Sequence, residues 1–409
     1  MNKICYSELS IKLTNKINKI EKKNNGIYFT PPKTINTNIK ALEPYMKNIK
    51  EILEPSCGSC EYILELNRQY VDKNIKGIEY NKTIYNSIKP LENKNIKLYN
   101  IDFLTYESNN KYDLVIGNPP YYVMKKKNID KIYYNYFDGR PNIFILFIIK
   151  SLKLLASDGI LSFVLPKNFL NCLYYNKTRK YIKDNYKILN IIDCNDNYIE
   201  TQQETIILII KNIKNINKID IDNTEYTLDI GKFTILGNPE NIIKLNSLLI
   251  NSSTLSKLGF KVYVGNIVWN ECKKELTDDN NKTLLVYSSD IKNNKLEIQK
   301  YTNEKKKNYI DRKGDKEPLL LINRGYGVGK YMFNYCLINI NNDMEYLIEN
   351  HLICIKYIKH IDNDRLINIY EKIIRSFENE KSKEFINLYF GNNAINTTEL
   401  SELFPIYDI

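Results

Sequence analysis

Between Ile49 and Asn212, short apolar runs alternate with amphipathic stretches. The apolar runs, bounded by Gly, Pro, Asn and Asp, predict strands at Glu51–Leu53, Ile75–Ile78, Ile96–Tyr99, Leu114–Ile116, Ile160–Leu165, Leu189–Asp193 and Thr205–Ile210. Apolar positions at helical spacing predict helices at Glu61–Tyr70, Asn81–Ile88, Ile143–Ala156 and Tyr174–Asp184. Strands apolar on both faces, separated by helices, predict an α/β fold with a parallel, doubly wound sheet of seven strands. Too little chain separates the last two strands for a crossover helix, so they are expected to close the sheet as an antiparallel hairpin.

The pattern changes outside that region. Residues 1–25 are polar, basic and Asn-rich, a helical lead-in or a floppy arm. A core domain is expected over 26–215, a polar connector over 216–235, and a second, α+β domain over 236–409. There the alternation gives way to irregular β-type segments and then a helical tail. Lys292–Lys330 holds eleven basic against five acidic residues, whereas the chain from Tyr331 onward holds seven against twelve. The basic stretch suits phosphate and the tail does not.

Composition narrows the class. The chain has 409 residues, enough for two cored domains, and 43% hydrophobic content excludes a disordered chain. Its longest apolar candidates, Ile143–Ile149 and Thr205–Ile210, stop at Lys150 and Lys211, short of a membrane span. With no apolar signal-peptide core at the start, an intracellular, non-secreted protein is expected. The net charge of +11 carries little weight: only seven of the 59 basic residues are Arg, and the Lys, Asn, Ile and Tyr excess matches AT-rich codons. Of eight cysteines only Cys57 and Cys60 have C-x-x-C spacing, and with two histidines no metal site is expected.

The candidate chemistry gathers at strand ends. Glu54–Pro55–Ser56–Cys57–Gly58–Ser59–Cys60 follows the first strand and opens a helix, where backbone N–H groups can approach a ligand. Glu79 ends the second strand, followed by Tyr80, at the position of a ribose-binding carboxylate. Asp102–Phe103 follows the third. The fourth runs into Gly117–Asn118–Pro119–Pro120–Tyr121, a carboxamide and a tyrosine beside two residues without N–H donors, a site for a planar amine. A redox pair at Cys57–Cys60 is the minor reading because it leaves Glu54–Pro55 without a role, and each carboxylate alone reads more readily as a surface group at a strand end. Their recurrence after successive strands favours one site.

With these residues in hand, the chain resembles the gamma-class adenine-N6 DNA methyltransferases, S-adenosylmethionine-dependent Asn-Pro-Pro-Tyr enzymes of restriction–modification systems, over roughly residues 24–212. Gly26–Pro32 resembles the motif that closes on the cofactor, which implies roles for Tyr28, Thr30 and Pro31. Glu54–Cys60, Glu79–Tyr80 and Asp102–Phe103 resemble the next three, implying cofactor contacts from Glu54, Pro55, Ser56, Cys57, Gly58, Glu79, Tyr80, Asp102 and Phe103, with Asn118 touching both ligands. Asn118, Pro119, Pro120 and Tyr121 match the catalytic motif, and Asp158–Phe169 resembles a later one. Tyr198, before the last strand, sits where the family stacks an aromatic on an extruded base, opposite Tyr121. The family ends its first motif in Gly-Ser-Gly. Cys60 replaces the final glycine, and a small thiol there is expected either to fit or to crowd the cofactor and weaken its binding.

The resemblance implies a Rossmann-like methyltransferase domain, a C-terminal target-recognition domain, double-stranded DNA as partner, a separate cognate restriction endonuclease, no metal, no membrane, and a monomer. Lys125, Lys126, Lys127 and Lys131, interleaved with Tyr133, Tyr134, Tyr136 and Phe137, read as a DNA-binding loop or as a solvated one. In Asn323–Lys330, whose glycine spacing fits no phosphate-loop pattern, Arg324 and Lys330 are the DNA-contact candidates. Trp269 reads first as core. The alternatives are a methyltransferase of RNA bases or of a protein glutamine amide, and a catalytically silent DNA-binding homologue.

Overall fold

The computed structural model describes residues 5–196, 198–213, 221–324, 333–339, 344–390 and 395–408. The chain divides into two compact units, Met1–Ile242 and Ile243–Ile409. The first is built on a seven-stranded sheet: β1 (Glu51–Glu54), β2 (Asn74–Ile78), β3 (Ile96–Tyr99), β4 (Tyr112–Gly117), β5 (Leu155–Pro166), β6 (Lys187–Cys194) and β7 (Thr205–Lys211). Its order is 3-2-1-4-5-7-6. The first five strands run parallel, and β7 inserts antiparallel between β5 and β6. All seven expected strands are present, and the expected hairpin closes the sheet.

Side-chain alternation divides the core into two layers. Leu53, Val115, Phe163, Leu208 and Ile210 face one layer with α6 (Ile143–Leu154), whose apolar residues are all buried. Ile52, Leu114, Ile116, Ile207 and Ile209 face the other, with α3 (Pro32–Leu42), α4 (Glu61–Gln69) and α5 (Lys82–Ile88). Lys150, on otherwise apolar α6, carries its ammonium out to the Leu104 carbonyl at 2.7 Å.

Of the two readings of the N-terminal stretch, the structure shows the helical lead-in: α1 (Glu8–Lys16), capped by Ser7, and α2 (Lys19–Asn25), capped by Asn18 and stopped by left-handed Gly26. Leu13 and Ile17, one helical turn apart, reach the core beside Ile35 and Ile39. Within the expected connector, β8 (Thr227–Ile230) and β9 (Phe233–Leu236) pair as a hairpin. It docks on α7 (Asn176–Asn185) because fully buried Arg179 donates to the Thr234 carbonyl at 2.6 Å, and to the carbonyls of Phe169 and Cys172 at 3.0 and 2.7 Å. The first unit therefore runs past residue 215.

The second unit contains two four-stranded sheets. Phe260–Val264, Leu352–Tyr357, Leu319–Asn323 and Tyr335–Ile338 form one, all antiparallel. Leu276–Thr277, Tyr309–Ile310, Thr283–Val286 and Tyr346–Ile348 form the other. Helices Asn363–Glu378, Glu380–Phe385 and Thr397–Glu402 follow. Trp269 is partly buried and packs against the cluster of Ile267, Leu285, Tyr287 and Ile310. Arg324 directly follows a strand, its N–H donating to the His351 carbonyl at 3.3 Å. Lys330 lies outside the described residues. Among the described residues, no helix is long and apolar enough to cross a membrane.

Candidate active site

The carboxyl ends of β1, β2, β3 and β4 lie side by side, so the loops that leave them share one edge of the sheet. Hydrogen bonds tie the loop after β1 to its neighbours. The Cys57 N–H donates to the Ile78 carbonyl at 2.8 Å, the Gly58 N–H to Glu79 Oε2 at 2.9 Å, and the Ser56 hydroxyl to the Asn118 carbonyl at 3.1 Å. The loop after β1 is thereby fixed to the ends of β2 and β4. A cleft of about 250 Å³ opens between them.

Ten of the sequence-predicted residues line this cleft together: Tyr28, Pro55, Ser56, Gly58, Glu79, Tyr80, Asp102, Phe103, Asn118 and Pro120. Glu79 is 8% exposed and also accepts from the Asn81 N–H at 2.6 Å. Burial pushes its pKa up to about 7, against the pull of those two N–H donors. Asp102 accepts from the Leu104 N–H at 2.8 Å, which caps the short helical turn holding Phe103.

The other predicted residues stand behind the wall. Glu54 is buried beneath Gly117, with Oε2 lacking a partner among the described residues, and burial holds its pKa well above the carboxylate range. The Cys57 thiol points away from the cleft toward Gly77, and burial raises its pKa as well. Thr30 is buried, Pro31 caps α3 and Pro119 is buried, none of them lining the cleft. The expected crowding by Cys60 is not found: the side chain is fully buried among the residues of the inner apolar layer and does not line the cleft. What it retains from the missing glycine is the backbone, left-handed at φ 64°, a strain of about 1–2 kcal/mol.

The Asn118 carboxamide is flanked by two tyrosines. The Tyr121 hydroxyl lies 2.6 Å from Asn118 Oδ1 and 2.8 Å from the Val164 carbonyl, sharing one proton between two acceptors. Asn118 Nδ2 lies 3.5 Å from both the Tyr198 hydroxyl and the Tyr28 carbonyl. Burial holds both phenols well above their ordinary range. Tyr121 meets Phe144 edge-on at 5.9 Å.

Sequence reasoning missed the apolar wall, made by Ile84, Ile101, Tyr122, Met124, Ile143 and Phe147. Phe147 meets Phe103 with ring centroids 4.9 Å apart. The available signal was the start of α6, which must abut the cleft once β4 ends at Gly117. It also missed Gly26, where a Cβ would stand 2.6 Å from the Tyr121 nitrogen. The basic loop divides: Lys125, Lys126 and Lys127 are exposed, but Tyr133 and Phe137 are core residues, which removes half of its aromatics from a stacking role. Lys126 covers the Tyr134 ring at 4.7 Å.

Known proteins resemble the chain in sequence. The chain is 26% identical over 411 residues to type II methyltransferase M.CvrRI of Paramecium bursaria Chlorella virus XZ-6E, covering 98% of this chain and 99% of that protein. It is 26% identical over 420 residues to modification methylase CviBIII of Paramecium bursaria Chlorella virus NC1A, covering both in full. It is 30% identical over 211 residues to type II methyltransferase M.HincII of Haemophilus influenzae, covering 48% of this chain and 40% of that one. Residues 4–199 match the family described as Eco57I restriction-modification methylase.

Proposed function

We propose that this protein is a site-specific DNA adenine-N6 methyltransferase using S-adenosylmethionine. The observation that carries the reading is that Glu79, Asp102 and Asn118 line one cleft. The fit to the cofactor rests on the wall itself. Glu79 offers a carboxylate to ribose hydroxyls, Asp102 offers one to an adenine amino group, and Ile84, Ile101, Phe103 and Phe147 supply apolar surface for a purine ring. Bound there, the cofactor supplies a methyl group on a sulfonium, which leaves as a neutral thioether.

The protein itself has to prepare the nucleophile. Adenine's exocyclic amine has its lone pair delocalised into the ring. Asn118 Oδ1 uses one lone pair on Tyr121 and keeps the second for an amine hydrogen, and the Pro119 carbonyl takes the other hydrogen. Two fixed acceptors favour a pyramidal nitrogen, which is catalysis by positioning and electrostatic preorganisation. Tyr121 and Tyr198 bracket the base, a role supported by their hydroxyls converging on the two ends of one carboxamide. The target must leave the duplex at a cost of a few kcal/mol, and stacking of ~1–3 kcal/mol offsets much of this. Exposed Lys125, Lys126 and Lys127, with Arg324, serve DNA phosphate and base contacts, and the second unit serves target recognition. Asn118→Ala is expected to lower turnover at least ~100-fold and leave cofactor affinity nearly intact. Turnover comparable to the unmodified enzyme removes Asn118 from the chemistry.

A further inference from the structure

The loop between β6 and β7 carries Tyr198, and it is held from outside the sheet. Two residues before Tyr198, Asp196 Oδ2 accepts from the Thr34 hydroxyl at 2.8 Å, and Thr34 is 1% exposed. Two residues after Tyr198, Glu200 Oε1 accepts from the Lys22 ammonium at 2.6 Å. Lys22 is 5% exposed and donates also to the Thr14 carbonyl at 2.7 Å. These ties differ from a surface ion pair such as Lys33–Asp196, in which Lys33 is 69% exposed and contributes little. A buried ammonium must keep its partners, so Lys22 holds Glu200 far more firmly.

Helix α2 also reaches the cofactor side. Glu21, next to Lys22, accepts from Asn81 Nδ2 at 2.8 Å, and the Asn81 N–H donates to Glu79. Its last residue gives way to Gly26, packed on the Tyr121 backbone. Helix α1 anchors the assembly, since the Ser7 and Ser10 hydroxyls both donate to Glu61 at the start of α4, and Ser10 also meets Ser59 at 2.7 Å.

We infer that α1 and α2 form a strap that positions the Tyr198 loop for capture of the target base, with Lys22 and Thr34 as positioning residues. The inference rests on the reading of Tyr198 as a base-stacking residue. Beyond the cofactor contacts of Tyr28, residues 5–34 thereby join the ribose-side carboxylate to the loop over the base through a single short helix. Neither Lys22 nor Thr34 touches the reacting atoms, so both act on turnover through the loop.

The test compares the full chain with Lys22→Met, which keeps the aliphatic stem, and with Lys22→Arg, which keeps the donors. Three readings are taken: amide exchange across Tyr198–Glu204, turnover on unmethylated bacterial genomic DNA, and affinity for S-adenosylhomocysteine by calorimetry. Lys22→Met is expected to raise loop exchange at least ~10-fold and lower turnover ~10–100-fold, with affinity changed less than ~3-fold. Lys22→Arg should restore turnover to within ~3-fold. Unchanged loop exchange, or exchange that rises equally throughout the sheet, overturns the strap. If Lys22→Met does not fold, Thr34→Val removes the other tie, and normal loop exchange there overturns it equally. Should the unmodified enzyme transfer no methyl group to DNA, the proposed function fails, and the exchange arm still decides whether the strap holds the loop.

Discussion

Gly26 joins the cofactor-side segment to the catalytic one, and its replacement by alanine isolates that contact. Its φ of 63° is left-handed, and an added Cβ would stand 2.6 Å from the Tyr121 nitrogen and 3.1 Å from Pro120 Cβ. Ordinary contact lies near ~3.5 Å, so the Asn118–Tyr121 backbone must retreat by roughly 0.9 Å. The left-handed conformation costs ~1 kcal/mol and the overpacking ~1–3 kcal/mol, a total of ~2–4 kcal/mol. Misplacement of about 1 Å at reacting groups costs about 100-fold in rate. Gly231 is the matched control: its φ is 59°, but nothing lies within 4 Å of an added Cβ. Gly231→Ala should therefore cost only ~1 kcal/mol and leave turnover unchanged. Denaturant unfolding and steady-state methyl transfer on both variants decide the matter. Equal turnover in the two would refute the claim that Gly26 sets the position of Asn118.

Glu79 predicts two pH dependences. Its folded pKa of about 7 stands above the ordinary 4.5, so the folded state holds the extra proton, and its contribution to stability falls as pH rises from 4.5 to 7. Hydroxyl binding uses the charged form, so S-adenosylhomocysteine affinity should weaken up to ~10-fold per unit as pH falls below about 7, and a flat calorimetric profile between about pH 5.5 and 8.5 contradicts this. Cys60→Gly should relieve the left-handed strain while giving up a buried thiol, changing stability by no more than ~1 kcal/mol. Because Cys60 does not line the cleft, cofactor affinity should stay within ~2-fold, whereas a ~10-fold tightening would put the thiol in the site.

Much of the first unit was legible because its strands are buried on both faces. Runs such as Thr205–Ile210 carry no polar residue after the first and admit few other readings. The order of polar residues at strand ends placed Glu79, Asp102 and Asn118 at one edge, and the structure brings them to one cleft. Direction within a turn was not legible. Cys57 and Gly58 are neighbours, yet one points into the core and the other lines the cleft, a choice set by the bonds to Ile78 and Glu79. Helices α1 and α2 were obscured by Lys and Asn, which dilute the apolar stripe to Leu13, Ile17 and a few neighbours. The hairpin at 227–236 was hidden by its brevity, four residues to a strand. Arg179 lies in a Lys-rich helical stretch that gives no sign of burial, yet it is fully buried because the backbone carbonyls of Phe169, Cys172 and Thr234 converge on it.

The central claim is that one cleft brings a methyl donor to an adenine amine. Methyl-labelled S-adenosylmethionine, incubated with the enzyme and unmethylated genomic DNA and followed by digestion to nucleosides, tests it most directly. The label should reside in N6-methyldeoxyadenosine and vanish with Asn118→Ala. Label in a methylated deoxycytidine, or label in adenine that survives Asn118→Ala, would contradict the account.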